Sequence, residues 1–138
     1  MAFRKILVGF DGSKGALEAF RLAVEIASRF GAEVRALAVL VPPGSDWDAS
    51  AAEERRLLRA PLEACAAIAR EKNVPFSEGV EEGDPAEVIL ETARTGSYDL
   101  IVVGRRKLAR PAYWMLGSVS ERVIRHASCP VLVVEPPG

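Results

Sequence analysis

Short apolar runs alternate with helix-period segments along the whole chain, and few folds accommodate that order. The strand-like pieces are Lys5-Ile-Leu-Val-Gly9, Glu33 to Val41, Phe76 to Glu82, Leu100-Ile-Val-Val103 and Pro130-Val-Leu-Val-Val134. The first and fourth are apolar in every central position, as strands buried on both faces of a parallel sheet are. The third alternates only weakly and suits a sheet edge. Between the runs lie four helical patterns. Ser13 can cap a helix that carries Leu17, Phe20, Val24 and Ala27 on one face and ends at Gly31. Ser50-Ala-Ala-Glu53 has the form of a capping box for a second, whose pattern reaches Asn73. Pro61 lies inside that pattern and either kinks the helix or marks its true start. Asp84, Pro85 and Glu87 supply the cap, first turn and third position of a helix that ends near Gly96. Ser118-Val-Ser-Glu121 opens the fourth. The order βαβαβαβαβ predicts an α/β three-layer sandwich, with one parallel sheet and helices on both faces.

Bulk properties narrow the function. A length of 138 residues fits one domain, residues 1–138, and 49% apolar content can fill its core. The formal net charge of −1 argues against general nucleic-acid binding, which wants a strongly basic chain. The N-terminus runs directly into a strand-like segment without a signal-peptide pattern, and no apolar stretch approaches the ~20 residues of a membrane span. The expectation is a cytoplasmic protein with neither a membrane nor a nucleic-acid partner. Cys65 and Cys129 form no CxxC pair, and His126 is the single histidine, a composition that argues against an ordinary zinc site. Cys65, among alanines, reads as core, and His126 reads as structural, late in the last helix. Trp47, Tyr113 and Trp114 read as loop aromatics, able to stack on a base or simply to pack.

Two segments carry chemistry. In Gly9-Phe10-Asp11-Gly12-Ser13 an acid stands at the carboxyl end of the first strand. It can bond a ribose hydroxyl or hold Mg²⁺ beside a phosphate, or it can merely shape the turn. After the fourth strand, Gly104 is followed by Arg105, Arg106, Lys107 and Arg110, and then by Gly117-Ser118 at a helix start. Free N–H groups and the helix dipole make that start a fit for phosphate. The alternative is a solvated basic loop before a routine cap. Neither a P-loop nor a GxGxxG fingerprint is present.

These segments resemble the universal stress protein family over nearly the whole length. The matching pieces are Lys5-Ile-Leu-Val-Gly-Phe-Asp-Gly-Ser13, Gly83-Asp-Pro-Ala-Glu87, Asp99-Leu-Ile-Val-Val-Gly104, Gly117-Ser-Val-Ser-Glu-Arg-Val-Ile-Arg125 and Cys129-Pro-Val-Leu-Val-Val134. The resemblance implies a five-stranded parallel sheet, expected in the order 3-2-1-4-5, and a homodimer paired through the last strand, residues 130–135. It divides the family into members that bind ATP and members that do not. The ATP-binding pattern is Gly-x-x-Gly, nine residues, then Gly and Ser or Thr. By that resemblance the ligand is ATP (or AMP or ADP) with Mg²⁺, used for regulation; no general base is evident in the sequence, so hydrolysis is expected to be slow at most. Asp11 would contact the ribose or the metal, with Gly9 also in the nucleotide site. Val39 would line the adenine pocket, Val103 and Gly104 the nucleoside. Gly117, Ser118 and Val119 would hold phosphates, with Ser120 close by.

One position departs from the pattern. Lys107 stands where the second glycine belongs. In a left-handed backbone lysine costs roughly 1–2 kcal/mol, a five- to thirtyfold loss of affinity. Its side chain either fills the cradle or pairs its ammonium with a phosphate. Two further readings follow: a nucleotide-free dimeric interaction module, and a binder of phosphate or a phosphorylated metabolite without adenine preference.

Overall fold

The computed structural model describes residues 3–40, 47–104 and 118–135. Nine elements follow in order: β1 (Lys5–Gly9), α1 (Lys14–Phe30), β2 (Glu33–Leu40), α2 (Trp47–Glu71), β3 (Phe76–Glu82), α3 (Pro85–Thr95), β4 (Leu100–Gly104), α4 (Ser118–His126) and β5 (Val131–Val134). The strands form one sheet in the order β3-β2-β1-β4-β5, with every pairing parallel. Both the alternation and the expected strand order are therefore realised, with β3 at an edge.

Strand side chains alternate between faces, so each inner strand feeds two cores. Ile6, Val8 and Val102 pack with Phe20 and Val24 of α1 and Leu58 and Cys65 of α2. Leu7, Leu37, Ile101 and Val103 pack with Ile89 of α3 and Val123 of α4. The unbroken apolar runs of β1 and β4 have this cause. The buried face of α1 is rich in alanine (Ala16, Ala19, Ala23, Ala27), which lets the helix lie close to the sheet. Phe20 then reaches past α1 to meet Phe76 of β3 edge-on, centroids 5.5 Å apart.

Caps match the sequence signals. The Ser13 hydroxyl accepts from the Ala16 N–H at 3.1 Å. Gly31 takes φ 71°, the left-handed conformation that glycine adopts without penalty, and its N–H donates to the Ala27 carbonyl. The Asp84 carboxylate accepts from the Glu87 N–H at 3.0 Å. At the other end of the sheet Asp99 binds the start of β1, accepting from the N–H groups of Arg4 at 2.9 Å and Lys5 at 3.2 Å. The Lys5 ammonium donates to the Gly96 carbonyl and lies 4.6 Å from the Tyr98 ring centroid.

Helix α2 settles the question left by Pro61. It runs continuously from Trp47 to Glu71 with the proline inside. Trp47 is thus the first residue of a helix rather than part of the preceding loop, and Ser50 lies within the helix rather than at its cap. Proline supplies no N–H to the carbonyl one turn back, so tertiary packing must hold this helix together. The packing is there: Leu58, Leu62, Cys65 and Ala69 are all buried. Residues 1–2, 41–46, 105–117 and 136–138 lie outside the described residues, and with them Tyr113 and Trp114.

Neither cysteine forms a disulfide. Burial, reinforced by Glu78, pushes the Cys65 thiol up to about 12 from an ordinary 9.0. Cys129 is half-buried, and burial with the nearby Asp99 raises it too. A thiol raised on folding ionises first in the unfolded chain, so its stabilisation is whole below pH 9 and drains away as pH climbs towards 12. We expect iodoacetamide at pH 8 to label only Cys129 of the native protein, slowly, and Cys65 only after denaturation. Peptide mass spectrometry checks this; native labelling of Cys65 contradicts the burial.

Candidate functional site

The chain leaves β1 for β2 and β3 on one side, then returns to place β4 on the other. The carboxyl ends of β1 and β4 are therefore neighbours, Gly9 opposite Val103. The connection from β1 leads to α1 on one face, and β4 precedes α4 on the other. A crevice at such a divergence is the usual ligand position of an open parallel sheet.

Both strands end in glycine, and the structure gives each a packing reason. A Cβ on Gly9 would stand 3.0 Å from the Ile89 Cδ1 and 3.2 Å from a Val103 methyl. A Cβ on Gly104 would stand 3.3 Å from the Gly15 carbonyl oxygen, in the first turn of α1. Beside them, Gly12 takes φ 84°, and a Cβ there would press on Leu58 at 3.3 Å and Pro61 at 3.7 Å. The loop from β1 to α1 thus sits between β4 and α2.

Asp11 is exposed on that loop. Its Oδ1 accepts from the Ser13 N–H at 2.9 Å, an Asx turn that leads into the Ser13 cap. The turn-shaping role is therefore real. Among the described residues no other bond engages this carboxylate, so its second oxygen keeps its capacity to accept.

At the start of α4, Ser118 is exposed and Val119 is half-buried. Val119 joins Val39 and Val103 against the α3–α4 core, so the three valines of the expected pocket do share one apolar cluster. Ser120 behaves differently from Ser118. It is only 4% exposed, and its hydroxyl donates to the Gly104 carbonyl at 3.2 Å. About one turn into α4, Arg122 bridges to Asp84 at 2.9 Å and Glu87 at 3.7 Å, joining α4 to the cap of α3. Both ion pairs are largely solvated and add little energy.

The structure thus gathers Gly9, Asp11, Val39, Val103, Gly104, Ser118, Val119 and Ser120 at one end of the sheet. Lys107 and Gly117 lie outside the described residues. Sequence reasoning passed over Gly15, although a glycine on the first turn of a helix is a signal of close backbone approach. It gave no sign that Leu58 and Pro61 stand against Gly12, a contact between distant parts of the chain. A separate groove of about 690 Å³ runs along α3 and the α4–β5 connection, lined by Glu87, Glu91, Ile101 and His126 among others. None of the candidate residues borders it. Among the described residues there is no cluster of three or more acidic, histidine or cysteine side chains that could hold a metal unaided.

Comparison with known proteins gives consistent results. The sequence profile of the universal stress protein family matches residues 2–135. A universal stress protein of Methanocaldococcus jannaschii is 36% identical, over 98% of this chain and 84% of its own length. A solved universal stress protein in complex with cAMP superposes with a TM-score of 0.77 at 27% identity, covering 99% of this chain and 100% of the other. One from Archaeoglobus fulgidus in complex with dAMP superposes with a TM-score of 0.75 at 25% identity, covering 97% and 99%.

The two strand-end glycines differ in what crowds them. Ile89 can swing its terminal methyl away from a new Cβ on Gly9, but the Gly15 backbone cannot move without shifting α1. Gly104→Ala is expected to lower the unfolding free energy by about 1–3 kcal/mol, and Gly9→Ala by less. Urea denaturation measures both; a larger cost for Gly9→Ala contradicts this account.

Proposed function

The chain belongs to the universal stress protein family, and on that premise we propose that it binds an adenine nucleotide at the β1–β4 crevice as a regulatory ligand. The observation that carries this is the presence, at one corner, of the N-terminus of α4 and of an exposed carboxylate whose second oxygen makes no bond among the described residues. A nucleotide needs both: an acceptor for ribose hydroxyls or a metal, and N–H groups for phosphate. The complexes of two relatives with cAMP and dAMP support the ligand class.

In this reading Val39 lines the adenine, Val103 and Gly104 flank the nucleoside, and Gly117, Ser118 and Val119 meet the phosphates. ATP with Mg²⁺ is included in the proposal. Among the described residues no metal-binding cluster surrounds Asp11, and Mg²⁺ is commonly held by one or two carboxylates with substrate phosphates and water, so Asp11 would share the ion with the ligand. Lys107 would place its charge on the phosphate side. Residues 1–138 act as one domain in the cytoplasm; no described helix is long and apolar enough to cross a membrane.

We also propose a homodimer through β5. The two sheet edges differ in kind. On β3, Ser77, Glu78, Glu81 and Glu82 are exposed, and such charges discourage strand addition. On β5 the sequence is Val-Leu-Val-Val, half-buried throughout, and Ile124 of α4 is 44% exposed. A second copy would cover that apolar edge.

Calorimetric titration with AMP and with ATP–Mg²⁺ tests the ligand. Heat at micromolar to millimolar nucleotide is expected, with affinity at least about tenfold weaker in Asp11→Ala, the loss of one charge-assisted contact. No heat at millimolar nucleotide would favour the nucleotide-free module suggested by Lys107. For the dimer, sedimentation is expected to give two copies for the native chain and one for Val133→Glu, while Glu78→Val leaves assembly unchanged. A Val133→Glu variant that stays dimeric with native circular dichroism rejects β5 as the interface.

A further inference from the structure

We propose that Ser120 is a positioning residue for the phosphate end of the nucleotide: its hydroxyl fastens the first turn of α4 to the end of β4. The inference rests on the nucleotide reading above and deepens it. By sequence Ser120 is one more hydroxyl beside Ser118, and it was expected close to the phosphates. The structure turns it inward. Ser120 is the one polar side chain buried among the described residues, 4% exposed, and its partner is protein rather than solvent. Its hydroxyl donates to the Gly104 carbonyl across 16 positions of sequence.

Three features make this bond a control point rather than a routine satisfaction of a carbonyl. First, its two ends are the two halves of the crevice: Gly104 closes the strand that flanks the nucleoside, and Ser120 lies in the turn that presents N–H groups. Second, the Gly104 end is held from behind, because the Gly15 backbone of α1 closes the space on its other side. Any slack must therefore appear in α4. Third, Val119 and Val123 hold α4 against the core by non-directional apolar packing, and its other polar tether at this corner, Arg122 to Asp84 and Glu87, consists of solvated pairs that hold position weakly. The Ser120–Gly104 bond holds more strongly, since the Ser120 hydroxyl, 4% exposed, has little water to turn to when it breaks.

Helix N–H groups grip an anion only within hydrogen-bond distance, and the grip weakens steeply as alignment is lost. Loosening α4 therefore lowers affinity for phosphate and leaves adenine and ribose contacts, built on β1, β2 and β4, untouched. A purely structural serine would instead leave both affinities unchanged, or lower them together where the folded fraction falls.

The experiment compares AMP with adenosine by calorimetry on the native chain, Ser120→Ala and Ser120→Thr. In Ser120→Ala, AMP is expected to bind roughly five- to tenfold more weakly while adenosine is unchanged. Ser120→Thr keeps the hydroxyl and is expected to restore most of the AMP affinity. Equal losses for AMP and adenosine, or no loss for either, overturn the positioning role. So does a native chain that binds AMP no better than adenosine. If Ser120→Ala does not fold, Ser120→Cys replaces it, keeping the size with a much weaker donor. A native chain that binds neither compound at millimolar concentration overturns the nucleotide reading itself, and the native titration alone distinguishes that failure.

Discussion

Everything in this structure hangs on the pairing of β1 with β4. Ile6, Leu7, Val8, Ile101 and Val102 have no measurable exposure, and they face both helical layers. Each such side chain contributes about 1.5–3 kcal/mol when fully removed from water. The same pairing creates the crevice, because these are the strands from which the chain diverges to opposite faces. Stability and the candidate site therefore share one foundation, and the residues at their boundary serve both.

That sharing explains the crowding at the carboxyl ends. Gly9 gives way to α3, Gly104 to α1, and Gly12 to α2. Glycine in a ligand crevice invites a functional reading, and the functional reading is compatible with these positions. Their immediate cause is nonetheless the close approach of three helices. Asp11 shows the same doubling: one oxygen builds the turn that caps α1, and the other remains able to accept. The serines of α4 divide the labour. Ser118 stays at the surface, and Ser120 is spent on the frame.

The fold was largely legible in the sequence. Continuous apolar runs marked strands buried on both faces, and Ser13, Gly31 and Asp84 marked helix ends where the structure has them. The failures were at α2. Ser50 was cap-like, and Pro61 allowed either a kink or a later start; the helix instead begins at Trp47 and runs through Pro61, which removes the later start and the Ser50 cap. Local propensity lost there to burial of Leu58, Leu62, Cys65 and Ala69 against the sheet. For the site, residue types and spacing marked Asp11, Gly104 and Ser118. They said nothing of Gly15, Leu58, Pro61 or Arg122, which come from distant parts of the chain.

The sequence by itself determined the alternation of strand and helix, the caps, and the acid and helix start that a nucleotide requires. These are properties of neighbours within about a turn, where periodicity, missing N–H groups and side-chain oxygens act directly. Only the tertiary structure decided which glycines answer to which helices, and that Ser120 faces β4 while Ser118 faces outward. It also decided that one sheet edge is acidic and the other apolar. Those outcomes depend on which distant segments become neighbours, and a linear pattern carries no distance between residues far apart in sequence.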